Sequence, residues 1–405
     1  MLARALRAIT QLDYPEFEVV VVGDGLALGA AERIGRGAFK LSEFDEPNLS
    51  VARNIGIAAA AGDVCAFIDD DAVPEPKWLH HHSAALAGLD AVASVGFVRG
   101  PDGIRFQSRH ETIDAQGWTS VEHVSDGQSP FVSSLKRDQA TKLVGTNMAI
   151  RRDALKAMHG FDPVYRYYLE DSDLSWRLGQ SGQRIAVTPL AEVHHAIAAS
   201  TRRAQRGVPR SLSDVGRSSA LFVRKHSRVD LAIARKSIRA REQRRLLQFM
   251  IRGVCEPRDV ERILSTFDSG WEDGNQCAVT ALRPLTSGNT PFRAFRTSPV
   301  GHRIYTSRVT GRRRALAAAT KIVESNEVAA SIISISLTSL PHRVQYTQDG
   351  VWLHTGGQFN GKGRMGLPFK WCRFAKRTSE EIARVAKQRG LVEAETGCLD
   401  RRLPD

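Results

Sequence analysis

The chain has 405 residues, 42% of them hydrophobic, which suits two or three domains with apolar cores and excludes a fibrous or wholly disordered polypeptide. Its net charge of +13 is unevenly divided: the first 200 residues carry 19 Lys/Arg against 26 Asp/Glu, leaving 38 against 18 beyond. The five cysteines form no Cys-x-x-Cys pair, which argues against a disulfide framework or zinc site, and no run reaches the ~18 apolar residues of a membrane-spanning helix, so a reducing, cytoplasmic setting is expected.

In chain order, residues 1–12 read as a short helix, with Leu2, Leu6 and Ile9 on one face, and Asp13-Tyr14-Pro15 breaks it. A strand over 17–22 then ends in Gly23-Asp24-Gly25. The next glycine, Gly29, comes one place late for a dinucleotide fingerprint, but Asp24 at a strand end is placed to touch a ligand. Residues 48–62 read as a helix rich in small residues, carrying Arg53, and run straight into Val64-Cys65-Ala66-Phe67-Ile68. This apolar stretch, closed by Asp69, Asp70 and Asp71, predicts a strand covered on both faces that delivers carboxylates at its end, where open α/β sheets bind ligands. Asp69 and Asp71 share a side of an extended chain and suit a hard divalent cation such as Mg²⁺; an acidic solvated turn is the alternative.

A helix is expected over 78–89, with His80, His81 and His82 pointing in different directions and read as a solvated face. Residues 99–140 read as a long polar loop. A second apolar strand follows over 143–150, with Asn147 inside it, then a helix over 152–159. The aromatic residues Tyr165, Tyr167 and Tyr168 precede Glu170-Asp171 at the start of a helix reaching residue 181, where acidic residues also serve as helix caps. A strand over 183–187 and the segment 189–193 lead to His194 and His195.

The order and spacing of these segments resemble the inverting nucleotide-sugar glycosyltransferases of family 2, which have the GT-A fold. The likeness rests on the run from Leu12 to Val22, on Ala52-Arg53-Asn54-Ile55-Gly56, on Ala66 to Asp71, on Gly145 to Arg151 and on Glu170 to Arg177, with Pro189, Ala191, Val193 and His195 at fitting distance. It implies a Rossmann-like mixed sheet with helices on both faces over 1–200. It further implies that Asp71, Asp69 and His195 hold Mg²⁺ or Mn²⁺, that Asp24, Arg53, Asp69 and Asp70 meet the sugar nucleotide, and that Asp171, beside Glu170, is the general base. Asn147 and Trp176 would lie on the acceptor side. The implied reaction moves a sugar from a nucleotide-diphosphate donor to a hydroxyl of a glycan or lipid-linked acceptor in cell-envelope polysaccharide synthesis. Family members open with a strand and base-holding loop, whereas Met1 falls inside the expected first helix, and Gly23 stands where an acidic residue is common.

Residues 202–252 hold 15 Lys/Arg against three acids and read as two helices, over 212–226 and 231–252. They form either a packed pair or a peripheral contact with anionic lipid, while nucleic acid is disfavoured by the lack of an aromatic stacking array. A helix over 256–267 and a linker over 270–290 complete a segment 201–270 and open a region 271–405. That region reads as a small α/β appendage, with strands over 328–340 and 344–354 and a helix over 379–389. Gly356, Gly361, Lys362 and Gly363 approach a phosphate loop, but Gly363 stands in the Ser/Thr place. A catalytically degenerate sugar-nucleotide binder and a basic membrane-surface scaffold are the rival readings.

Overall fold

The computed structural model describes all residues except 125–126, 197–201, 203, 205–206, 287, 289, 296, 298–300, 326–327, 362–368 and 392–405. The chain opens with helix α1 (Leu2–Ile9), strand β1 (Val20–Gly23), helix α2 (Gly25–Gly35), strand β2 (Lys40–Glu43) and helix α3 (Leu49–Ala59). β1 and β2 pair in parallel as a sheet of their own. Then come β3 (Val64–Ile68), β4 (Ala72–Pro74), α4 (Trp78–Gly88) and β5 (Ala93–Arg99), the last buried along its whole length.

Residues 99–140 are not the loop expected. They hold β6 (Phe106–Ser108), β7 (Glu111–Asp114), β8 (Thr119–Val121), β9 (Phe131–Val132) and β10 (Gln139–Thr141), strands too short for an alternating pattern to register in sequence. Next are β11 (Asn147–Arg151), α5 (Arg152–Ala157), α6 (Glu170–Gln180) and β12 (Ile185–His195). The central mixed sheet runs β3-β11-β5-β12-β4, with β6 on β5 and β9 on β12, while β10-β7-β8 form a small antiparallel sheet. Val95, Phe97, Met148, Ile150, Leu174, Leu178 and Val187 form its main core with α6. Each such side chain contributes about 1.5–3 kcal/mol when fully buried.

The basic segment is a helical bundle of α7 (Ser213–His226), α8 (Leu231–Ile251) and α9 (Pro257–Gln276). α9 runs to Gln276, into the first seven residues of the stretch expected to be a linker, because Gly270 and Gly274 let the α7 backbone close in: a Cβ at Gly270 would stand 2.0 Å from the Ser213 carbonyl oxygen and one at Gly274 2.3 Å from that of Arg217. Arg235 and Arg239 pair with Asp268 and Arg241 and Arg245 with Glu242, so part of the basic face is neutralised inside the bundle. Farther on, the Phe295 amide donates to the Phe17 carbonyl at 2.6 Å and its ring packs on Phe17 and Phe39. Phe295 thereby fastens the segment after α9 to the first domain.

The C-terminal region is the small α/β unit expected, with more elements than the sequence suggested: β13 (His302–Arg308), α10 (Arg312–Glu324), β14 (Ala329–Ser336), β15 (Arg343–Tyr346), β16 (Val351–Gly357) and α11 (Phe374–Arg389). Its sheet runs β13-β14-β16-β15 with only β15 antiparallel. Lys362 and Gly363 of the near phosphate loop lie outside the described residues.

Candidate active site

Strand β3 ends where its apolar run ends, and Asp69, Asp70 and Asp71 emerge at the mouth of a cavity of about 2110 Å³. Asp69 Oδ2 accepts from Thr146 Oγ1 at 2.5 Å, and its other oxygen faces Arg53 at 3.7 Å. Asp70 points outward; its carboxyl is pushed above the usual range by partial desolvation in the cleft wall and by the Asp71 and Asp69 charges.

Asp71 and His195 meet because β4, which follows Asp71, pairs with the end of β12 in the register His195↔Ala72, His194↔Val73, Val193↔Pro74. His195 Nδ1 donates to Gln107 Oε1 at 3.0 Å, which fixes the tautomer and turns the Nε2 lone pair toward Asp71 Oδ1, 2.9 Å away. Two lone-pair groups face to face need a proton or a cation between them. Donor atoms of Asp69, Asp71 and His195 lie within 4.8 Å of one another, and two carboxylates with one neutral imidazole form a donor set that fits Mn²⁺ or Mg²⁺.

On the opposite wall, α6 starts after two consecutive left-handed residues, Tyr168 (φ 73°) and Leu169 (φ 66°), a strained entry that aims Glu170 and Asp171 from the helix N-terminus. Glu170 is buried against Arg53, whose NH1 donates to its Oε1 at 2.8 Å. Burial and the Asp171 charge push the Glu170 carboxyl up, against the opposing pull of Arg53. Asp171 is only half-buried. Its Oδ2 accepts from the Gly145 amide at 2.9 Å and its Oδ1 from Ser172 Oγ at 3.1 Å. A Cβ at Gly145 would stand 2.2 Å from Arg53 NH2, so only glycine lets the amide reach Asp171 while the guanidinium lies alongside. Lys142, half-buried and paired with Glu111 at 2.8 Å, adds a second positive charge near Asp171.

Seven expected site residues thus line one cavity: Arg53, Asp69, Asp70, Asp71, Glu170, Asp171 and His195. Three others do not. Asp24, expected at the nucleotide base, caps α2 by accepting from the Ala27 amide at 2.8 Å. Trp176 packs in the core with Tyr165, Leu221 and Phe222 rather than facing an acceptor. Asn147 is wholly buried: its Nδ2 donates to the Phe97 and Ala191 carbonyls at 2.8 Å each, bridging β5 and β12 at the bulge that follows Thr188. Lys142, Thr146 and Gln107 join the cleft without having been singled out, although Thr146 stood inside a motif already quoted. The cavity extends along an apolar stretch lined by Val20–Val22 of β1, by β3 and by Leu2, Leu6 and Ile9 of α1, with Glu18 and Asn48 among the polar residues that also line it.

Asn147 also overturns the reading of the three adjacent histidines as a solvated face. His82 is buried; its Nε2 donates to Asn147 Oδ1 at 3.0 Å and its Nδ1 accepts from Ser94 Oγ at 2.8 Å, the tautomer that Asn147's own donors impose. Burial pushes the His82 pKa down to about 4, and those of His302 and His354 in the C-terminal domain down to about 3. In the unfolded chain histidine titrates near ~6.5. Below that pH the unfolded chain binds protons that the folded chain refuses, so stability is intact above it and falls as pH drops toward 4. At about 1.4 kcal/mol per pH unit, His82 alone removes about 3 kcal/mol by pH 4. Thermal melts between pH 7.5 and 4.5 are expected to show a steadily falling Tm with a shallower slope in His82→Gln, and equal slopes would contradict this account.

Residues 1–158 match the family model described as glycosyl transferase family 2. The chain is 28% identical over 186 residues to a pre-mycofactocin glycosyltransferase of Mycobacterium tuberculosis, covering 44% of this chain and 37% of that protein. It is 27% identical over 206 residues to the N-acetylglucosaminyl-diphospho-decaprenol L-rhamnosyltransferase of the same organism, covering 47% and 62%. It therefore spans less than two thirds of the length of either relative. Among solved structures, S. aureus TarS 1–349 in complex with UDP superposes with a TM-score of 0.39 at 14% identity, over 68% of this chain and 85% of that one.

Proposed function

We propose, for a chain whose residues 1–158 belong to glycosyl transferase family 2, that it is an inverting, metal-dependent glycosyltransferase. It takes a sugar from a nucleotide-diphosphate donor and places it on a hydroxyl of a glycan or lipid-linked acceptor of the cell envelope. The observation that carries this reading is the single cavity onto which Asp69, Asp71 and His195 open from one wall and Asp171 from the other. Mg²⁺ or Mn²⁺ on Asp69, Asp71 and His195 would neutralise the charge on the departing diphosphate.

This chain's own residues account for the other half of the step. Asp171, held by the Gly145 amide and the Ser172 hydroxyl, takes the proton of the acceptor hydroxyl as its oxygen bonds to the anomeric carbon. The bond from that carbon to the donor phosphate oxygen breaks on the opposite face, and the nucleoside diphosphate leaves, so one displacement inverts the configuration. Arg53 and Lys142 place positive charge beside Asp171, while Thr146 and Arg53 hold the Asp69 carboxylate at the donor side. A cytoplasmic setting, with the basic bundle against the inner membrane face where the acceptor is lipid-linked, belongs to the same reading.

One observation favours the rival, a sugar-nucleotide binder without turnover: Asp24, expected at the nucleotide base, is taken up as the cap of α2 and does not line the cavity. Incubation with Mn²⁺ and a panel of sugar nucleotides separates the two. Donor consumption that stops on adding EDTA and returns with Mn²⁺ is the expected result. Donor binding with no consumption under any acceptor tried would favour the binder.

A further inference from the structure

The C-terminal domain touches the first domain at the back of the antiparallel β4/β12 pair, beside which Asp71 and His195 stand. Along β12, successive side chains alternate between faces, so His195 opens on the cleft and His194 faces away. Beneath it, Val73 of β4 packs with Val344, Tyr346 and Trp352 of the C-terminal sheet, and the His194 ring stands edge-on to Trp352, centroids 4.9 Å apart. His194 Nε2 meets Glu75 Oε1 at 3.0 Å, and the Glu75 amide donates to the Glu192 carbonyl, extending the β4/β12 pairing one residue beyond β4.

Glu75 is the link. The Arg389 guanidinium, from the last turn of α11, grips both of its oxygens, Nε to Oε2 at 2.8 Å and NH2 to Oε1 at 3.0 Å. Its remaining NH1 donates to Ser331 Oγ at 2.7 Å and His354 Nε2 at 2.8 Å, and its plane lies over Trp352 at 4.4 Å. Arg389 and Glu75 are 2% and 1% exposed, so the pair is desolvated and its geometry admits one docked arrangement. A second buried contact, Gln388 Nε2 to Glu192 Oε1 at 3.2 Å, grips β12 itself from the same helix turn.

We infer that the C-terminal domain is a buttress for the metal site, with Arg389 as a positioning residue that acts through Glu75 and the β4/β12 strand pair to hold Asp71 and His195 at cation-binding distance. The inference rests on reading Asp69, Asp71 and His195 as cation ligands, and it assigns the region after residue 300 a role in catalytic competence rather than in finding partners. Removing the guanidinium leaves Glu75 buried without its cation, and the strand pair beside which two of the three ligands stand relaxes to rehydrate it.

The test is the Mn²⁺ affinity of the full chain, read from free Mn²⁺ by electron paramagnetic resonance, for wild type, Arg389→Met and Gln11→Ala. Gln11 donates to the Gly350 carbonyl at 3.0 Å across the same domain interface but touches neither Glu75 nor β12. Arg389→Met is expected to weaken Mn²⁺ binding by about 10–100-fold, the usual effect of losing a group that orients a ligand, and Gln11→Ala by less than about twofold; at raised Mn²⁺ the Arg389→Met protein should regain the occupancy of wild type. Should Arg389→Met fail to fold, Arg389→Lys, which keeps the charge but cannot grip both oxygens, is measured instead with the same direction expected. Unchanged affinity in the Arg389 variant, or an equal loss in Gln11→Ala, overturns the buttress while the metal reading stands. A wild-type chain that binds no Mn²⁺ overturns the metal reading and this inference with it.

Discussion

Asp171→Asn is expected to fold and melt like the wild type while losing glycosyl transfer by roughly 10²–10⁴-fold, the contribution of a positioned general base. The amide is nearly isosteric, its oxygen can still accept from the Gly145 N–H, and the half-buried position leaves its NH₂ in reach of water. Binding of donor and Mn²⁺ should persist, because Asp171 is not one of the three candidate cation ligands. The comparison two residues along α6 makes the result specific. Asp173 is wholly buried and accepts from Arg177, Lys225 and His226 at 2.7–2.8 Å, so its carboxyl is held far below the usual range despite burial. Asp173→Asn should therefore cost stability and carry activity down only with it. If Asp171→Asn kept full activity in steady-state transfer assays, Asp171 would not be the base.

What sequence made legible was what a local polarity change encodes. The abrupt end of an apolar run at Asp69, the Glu-Asp pair after an aromatic cluster and the histidine closing a strand each mark their own place in the fold, and all three reach one cleft. What it concealed depends on partners far along the chain. Asn147 read as an acceptor-side group because nothing near it discloses that a bulge 41 residues later leaves the Ala191 carbonyl for it to bond. His82 read as solvated because the flanking His80 and His81 are polar, whereas Asn147 and Ser94 make a buried polar niche for it alone. Glycines misled in the opposite direction: Gly270 and Gly274 suggested a linker but serve close helix packing. The Glu75–Arg389 pair spans 314 positions, and the sequence showed α11 only as a helix, with nothing to single out Arg389. Such long-range ion pairs have no periodic signature.

Arg53→Met should be the most damaging single change to the stability of the first domain. The guanidinium is 9% exposed, bonded to Glu170, facing Asp69 and lying 5.2 Å from the centroid of the Phe161 ring. Its own charge is secured against desolvation by Glu170, Asp69 and Asp171. Methionine keeps the apolar stem in place beside Phe161 and removes only the charge, which isolates the electrostatic part of the loss. Glu170 is then buried next to Asp171 with no counter-charge, a situation that costs about 3–5 kcal/mol when one partner of a buried pair is deleted. A drop in Tm on the order of 10 °C follows for a domain of this size. Adding Glu170→Gln to Arg53→Met should recover most of that loss, since a neutral amide has no charge to strand, while activity stays low because Asp69 and Asp171 have lost their shared cation. The double variant melting no higher than Arg53→Met alone would mean that Arg53 stabilises by packing rather than by neutralising Glu170, and would remove the electrostatic reason for placing an arginine at the centre of the site.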